Sequence, residues 1–178
     1  MKTLVLFTSQ TGFTKRYAEW IADRMRADIF DLKDVQKNDD GFFAQYGSIV
    51  YAGWVMAGKV AKANWFLDRS RNWTDKQLVL VAVGGGTIDA PETDAAMKAL
   101  LTEEQSSYIK TFYCQGGFNY EMMNVPSKLA MKAFVGALKK SRDARSRELA
   151  ASFDHSCDMS DIKFIEPILE YLKEAKTA

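Results

Sequence analysis

Apolar residues in this chain come in short unbroken runs that alternate with stretches of helical spacing. The first run, Lys2 to Thr8, carries Leu4, Val5, Leu6 and Phe7 in succession, which suits a strand buried on both faces. Tyr17, Trp20, Ile21 and Met25 then recur at helical intervals. Asp28-Ile29-Phe30-Asp31-Leu32 alternates polar and apolar residues as an edge strand does. Polar Lys33 to Gly41 reads as a loop or one ragged helix. Ser48 to Ala52 is the third strand and ends at Gly53-Trp54, and Val60 to Ser70 reads as a helix. Leu78 to Val83 is an unbroken apolar run that stops at Gly84-Gly85-Gly86. Pro91-Glu92 opens a helix that reaches about Leu101. Ile109 to Cys114 is the fifth strand, closed by Gly116-Gly117. Ser127 to Glu148 reads as one polar and basic helical stretch. Asp158 to Lys173 reads as a closing amphipathic helix.

Five strands alternating with helices, without repeats or low-complexity linkers, predict an α/β domain with a mostly parallel sheet. Right-handed crossovers leave few topologies. The half-polar second strand belongs at an edge and the apolar first, third and fourth belong inside, which favours the order 2-1-3-4-5. In known sheets of that order ligands sit where strands 1 and 3 diverge, and the site's place is taken over from those folds.

The 178 residues suit one domain spanning 1–178. With 47% hydrophobic and 26% charged residues, the balance is that of a globular protein. No apolar run approaches the roughly 20 residues of a membrane-spanning helix. The start lacks a signal-peptide cleavage site. Cys114 and Cys157 lie far apart, so neither a disulfide framework nor a zinc site is suggested, and the expected compartment is the cytoplasm. A net charge of +1 gives no overall pull toward nucleic acid.

Chemistry concentrates in the loops after the inner strands. Ser9, Gln10, Thr11, Gly12, Phe13 and Thr14 crowd hydroxyls, an amide and a glycine onto the start of a helix. Free N–H groups there, with the helix dipole behind them, favour a phosphate. A plain N-cap needs only one such residue. A Walker loop would need Gly-Lys-Ser/Thr, and a dinucleotide fingerprint three spaced glycines; neither is present. After the third strand come Gly53, Trp54, Val55, Met56, Ala57 and Gly58. An aromatic flanked by glycines can lie flat on a planar ligand, although an indole can equally pack into the core. After the fourth strand, Gly84, Gly85, Gly86 and Thr87 leave room for close backbone approach, or else form a flexible turn.

The first of these loops resembles the phosphate-binding signature of flavodoxins, a hydroxyl-rich turn ending in Thr-Gly-Asn-Thr. Ser9 to Thr14 fall on it in register, with Phe13 where the family usually has Asn. The resemblance implies a flavodoxin-like doubly wound sandwich with a helical insertion after strand 5. It also implies one FMN, its phosphate in Ser9–Thr14. Trp54 and its neighbours from Gly53 to Gly58 would form one wall of the flavin site, and Gly84 to Thr87 the other. The family often places an aromatic in that last loop, and this chain has none there. The turn Gln115 to Tyr120, leading into a basic helix, is similar to the branch that includes the menaquinone-linked protoporphyrinogen oxidase. That oxidase has a longer segment after strand 4. The function so implied is electron transfer through FMN. The alternative is an FMN-dependent oxidoreductase of the protoporphyrinogen oxidase or quinone-linked type. The expected partner is a redox protein, a quinone or another small hydrophobic substrate.

No catalytic side chain is assigned. His155 is the only histidine and reads as a surface or capping residue, and Cys114 as a core residue. Within the basic stretch Met131, Phe134, Val135 and Leu138 share one helical face, with Lys128, Lys132 and Lys139 beside it and Lys140 further round. That pattern fits peripheral contact with an anionic membrane, and it fits equally a helix covering the domain's own core.

Overall fold

In the computed structural model, residues 2–153 and 155–174 are described. Six strands form the main sheet: β1 (Thr3–Thr8), β2 (Asp28–Asp31), β3 (Ser48–Met56), β4 (Lys59–Val60), β5 (Gln77–Gly84) and β6 (Ile109–Gln115). All are parallel, in the order β2-β1-β3-β5-β6, except β4, which turns back antiparallel on β3. The five long strands therefore keep the expected order, with the half-polar one at an edge.

Period-two alternation divides each inner strand between two cores. Val5, Phe7, Val50, Ala52, Val79, Val81 and Val83 point to one side. There they meet Tyr17, Ile21 and Met25 of α1 (Phe13–Met25) and Ile168, Leu169 and Leu172 of α9 (Glu166–Glu174). Leu4, Leu6, Ile49, Tyr51, Leu78, Leu80 and Ala82 point to the other. That side is covered by α2 (Leu32–Val35), α3 (Asp40–Ala44) and α4 (Ala63–Ser70), with Met97 of α5 (Pro91–Lys98) packed at its margin. Burial on both faces is why these strands read as continuous apolar runs.

Several boundaries differ from the expectation. Gly53 to Gly58 is not a loop: β3 runs on to Met56 and folds back through Ala57-Gly58, pairing Val55 with Val60 and Met56 with Lys59. The following helix therefore starts at Ala63, not Val60. The Lys33–Gly41 segment forms α2 and α3, each started by an aspartate: Asp31 accepts from Lys33 N–H and Asp39 from Phe42 N–H. The helix expected to reach Leu101 stops at Lys98, and Thr102 opens α6 (Glu103–Ser106) through a reciprocal capping box with Gln105.

The Ser127–Glu148 stretch is two helices, α7 (Val125–Lys139) and α8 (Ala144–Ser152). Asp143 breaks it by accepting from Ser146 N–H at 3.0 Å, while Arg147 Nη1 donates to the carbonyls of Ser141 and Arg142. The closing helix is also interrupted. Cys157–Asp158 is a strand, β8, and Ile162–Ile165 a 3-10 turn ahead of α9. Pro167 lacks the N–H that an α-helix would need there, so the turn tightens.

The insertion closes at its own base. β7 (Gly117–Phe118) pairs antiparallel with β8, and α7 and α8 lie between them in the chain. Phe118, Val135, Ala150 and Phe153 form a third, small core, with Met131 and Leu138 against it. A Cβ on Gly117 would fall 2.1 Å from Cys157 O, so only glycine permits this pairing. Arg16 of α1 ties the base to the main domain through Asp158 (2.5 Å) and Ser160 (2.6 Å).

Candidate functional site

Three loop regions meet at the carboxyl end of the sheet because β1, β3 and β5 are neighbours in register, with Thr8 opposite Gly53 and Trp54 opposite Val83. At the end of β1, Gly12 adopts a φ of +98° and starts α1 without a side-chain cap. A Cβ there would meet nothing within 4 Å, so the left-handed turn faces open space. Gly12 N–H donates to Ser9 Oγ at 3.2 Å, which draws the loop into a ring. The first helix amide to find a backbone acceptor is that of Arg16, which donates to Gly12 O. The N–H groups of Phe13, Thr14 and Lys15 are the open donors that a helix start leaves. Ser9 and Thr11 are partly exposed around them, while Thr14 is buried. This donor set is neutral and faces open space, which suits a phosphate held by hydrogen bonds and the helix dipole. Phe13 turns its ring into the core below, and the Cβ positions of Gly116 and Gly117 lie close against it. The departure at Phe13 is thus an internal packing device, and its amide stays at the helix start.

The wall after β3 is the arm of a hairpin. Gly53 is forced by the return strand: a Cβ there would lie 2.5 Å from Val60 Cγ1 and 2.9 Å from Ala61 O. Tyr51 Oη donates to Ala61 O at 2.6 Å. Its single proton is then committed, so at 3.0 Å it accepts from the Thr8 hydroxyl. That bridge locks the end of β1 to the hairpin, and burial pushes the Tyr51 pKa up to about 12. Trp54 is half-buried, and among the described residues it belongs to none of the three apolar clusters and to no aromatic pair. By alternation it stands on the α1 side of the sheet, following Val50 and Ala52. Packing into the core does not account for this indole. Val55 packs on the opposite core, and Met56 is 45% exposed.

In the wall after β5, Tyr113 Oη donates to Gly86 O at 2.8 Å and sits where a Gly84 side chain would be. The ring of Phe118, from the insertion, fills the place of a Gly85 side chain, and Thr93 crowds Gly86. The chain's own side chains therefore explain the glycine run. Thr87 and Ile88 beyond it are exposed. Three residues that shape the site were not singled out in the sequence. Tyr51 carried a usable signal, a hydroxyl-bearing ring inside an apolar strand just before the loop. Tyr113 and Phe118 carried none, since their targets lie far away along the chain.

Two clefts, of about 430 and 500 Å³, lie elsewhere, along the outer edge of β6, the first between α5 and the start of α9 and the second beside α5 and α6. Lys98 and Lys163 beside them are already paired, with Asp94 and Asp161. Cys114 is buried, and burial pushes its thiol up to about 12, so it is no thiolate nucleophile. His155 is exposed just before β8. Among the described residues no group of three His, Cys, Asp or Glu side chains could hold a metal ion.

The family model for the flavodoxin domain matches residues 4–145. No curated protein matches the chain. Similar solved structures include a flavoprotein in complex with FMN from Lactobacillus acidophilus, 19% identical over 64% of this chain and 91% of its own, with a TM-score of 0.46. A WrbA-like flavodoxin from Agrobacterium tumefaciens is 18% identical over 86% of this chain and 99% of its own, at 0.46. An NAD(P)H:quinone oxidoreductase from Methanothermobacter marburgensis is 9% identical over 87% and 96%, at 0.47. With TM-scores below 0.5, none of these likenesses bears on function.

Proposed function

The chain belongs to the flavodoxin domain family, and from that premise we propose that it transfers electrons through one FMN held at the carboxyl end of β1, β3 and β5. The observation that carries this reading is the open start of α1, ringed by neutral hydroxyls, at the end of the same sheet as an indole that no core claims. Ser9, Thr11, Thr14 and the first amides of α1 would hold the phosphate. Trp54, Val55 and Met56 on the rigid hairpin, with Gly53, Ala57 and Gly58 shaping it, would form one wall. Gly84, Gly85, Gly86 and Thr87 would form the other, offering backbone groups, because Tyr113 and Phe118 already occupy the glycines' side-chain space. FMN supplies one- and two-electron chemistry when bound, and the protein binds it, orients it and excludes water.

The test replaces Thr11 and Thr14 with Val, which removes two hydroxyls at nearly constant volume. Each neutral hydrogen bond is worth about 1 kcal/mol, and one to a charged group about 1.5–3 kcal/mol. FMN affinity should fall by roughly tenfold or more while riboflavin, which lacks the phosphate, is little affected. Equal losses for both ligands in a fluorescence titration defeat the assignment. Turnover with a quinone and a set of electron donors then separates a carrier from an oxidoreductase.

A further inference from the structure

α7 is apolar on two sides, and only one of them is used. Ser127, Met131, Val135 and Leu138 face inward, where the last three cover Phe118 and Phe153. The face singled out from the sequence thus covers the insertion's own core, with Phe134 joining it at the margin through Phe153. The opposite arc is what the fold leaves open. At about 100° per residue, Val125, Leu129 and Ala133 fall within one quarter-turn that carries no polar side chain. Val125 is 78% exposed and Leu129 68%, and Met122 just ahead of the helix is exposed as well, whereas Phe134, 48% exposed at the far margin, packs its ring on Phe153 at 5.9 Å. Exposed large apolar side chains are ordinary when scattered, but these are contiguous on one helix.

Charge selects what covers them. Lys128, Lys132 and Lys139 line one border of the apolar arc, Lys140 and Arg142 follow, and α7 has no acidic residue. A second copy docked antiparallel about a two-fold axis would set these lysines against their own equivalents. An anionic bilayer satisfies both features: acyl chains take the apolar arc, and headgroups take the ammonium groups at its rim. No helix among the described residues is long and apolar enough to cross a membrane, so the geometry is that of a helix lying in the interface. We infer that the outer face of α7 seats this protein peripherally on an anionic lipid surface. The insertion that carries α7 meets the candidate site at its base, where Phe118 packs on Gly85.

The experiment is co-sedimentation of the full-length chain with vesicles of phosphatidylglycerol and phosphatidylcholine, and with phosphatidylcholine alone. Screening shortens from roughly 30 Å at 0.01 M salt to 3 Å at 1 M. Binding to anionic vesicles at low salt should fall by about tenfold or more at high salt, on neutral vesicles, and in the Leu129→Glu variant. Val125→Glu should behave like Leu129→Glu. Both side chains are exposed, so thermal melting should be unchanged. No binding to anionic vesicles at low salt overturns the inference. So does equal binding to neutral vesicles, binding that survives both glutamate variants, or a dimer abolished by Leu129→Glu without vesicle binding. FMN takes no part in the measurement, so the outcome is independent of the cofactor reading.

Discussion

Gly85 shows how one residue joins the domain to its insertion. A Cβ at this position would lie 2.1 Å from Phe118 Cζ, and the ring cannot swing away, because it is buried and packs edge-on against Phe153 at 4.7 Å. Gly85→Ala should therefore destabilise the chain by about 1–3 kcal/mol, the usual cost of overpacking. Adding Phe118→Leu should recover part of that loss, since residues in contact do not behave additively. Urea denaturation of the two single variants and the double checks this, and strict additivity would refute the contact. Gly12 needs glycine for the other reason: its surroundings are open and only its φ of +98° excludes a side chain. Two glycines in candidate loops thus have separate causes, one packing and one backbone.

Elements contribute rigidity where the sequence suggested loops. The β3–β4 hairpin turns on Ala57 and Gly58, with φ of +50° and +73°, the condition for a type I′ turn. Glycine adopts that conformation freely, whereas alanine is strained by about 1–2 kcal/mol. Ala57→Gly should raise stability in the absence of ligand by about 0.5–1 kcal/mol, the strain relief less the added chain entropy. A lower urea midpoint would show that the turn is not formed this way. The wall proposed for the flavin would thus stand on a paired strand that carries Trp54. The Tyr51–Thr8 bridge ties that hairpin to the end of β1, where the proposed phosphate loop begins.

Across the whole molecule, buried tyrosines link the pieces and set an alkaline limit. Tyr17 Oη donates to Gln115 O and accepts from Asp161 N–H, joining α1, β6 and the approach to α9. Burial raises its pKa well above the ordinary range. Tyr51 and Tyr113, on the other face, are each pushed up to about 12 by burial. In the unfolded chain a tyrosine ionises near 10. The folded state holds these protons more tightly, so their contribution is complete below pH 10 and is lost as pH rises through 12. For Tyr51 alone, two units correspond to on the order of 2–3 kcal/mol. Denaturant titrations from pH 9 to 12 should show a steep fall, and Tyr51→Phe should flatten part of it. Strand order and the helices on both faces were legible from the sequence, because they depend on local periodicity and on which strands can tolerate an edge. The hairpin after β3, the split of the basic stretch into α7 and α8, and the cause of the glycine run were not. Each rests on contacts between residues distant in sequence or on a local break that apolar periodicity does not record. The two-sided character of α7 belongs with them, since a helix with apolar residues on most of its circumference does not say which arc is buried until Phe118 and Phe153 are in place to cover one of them.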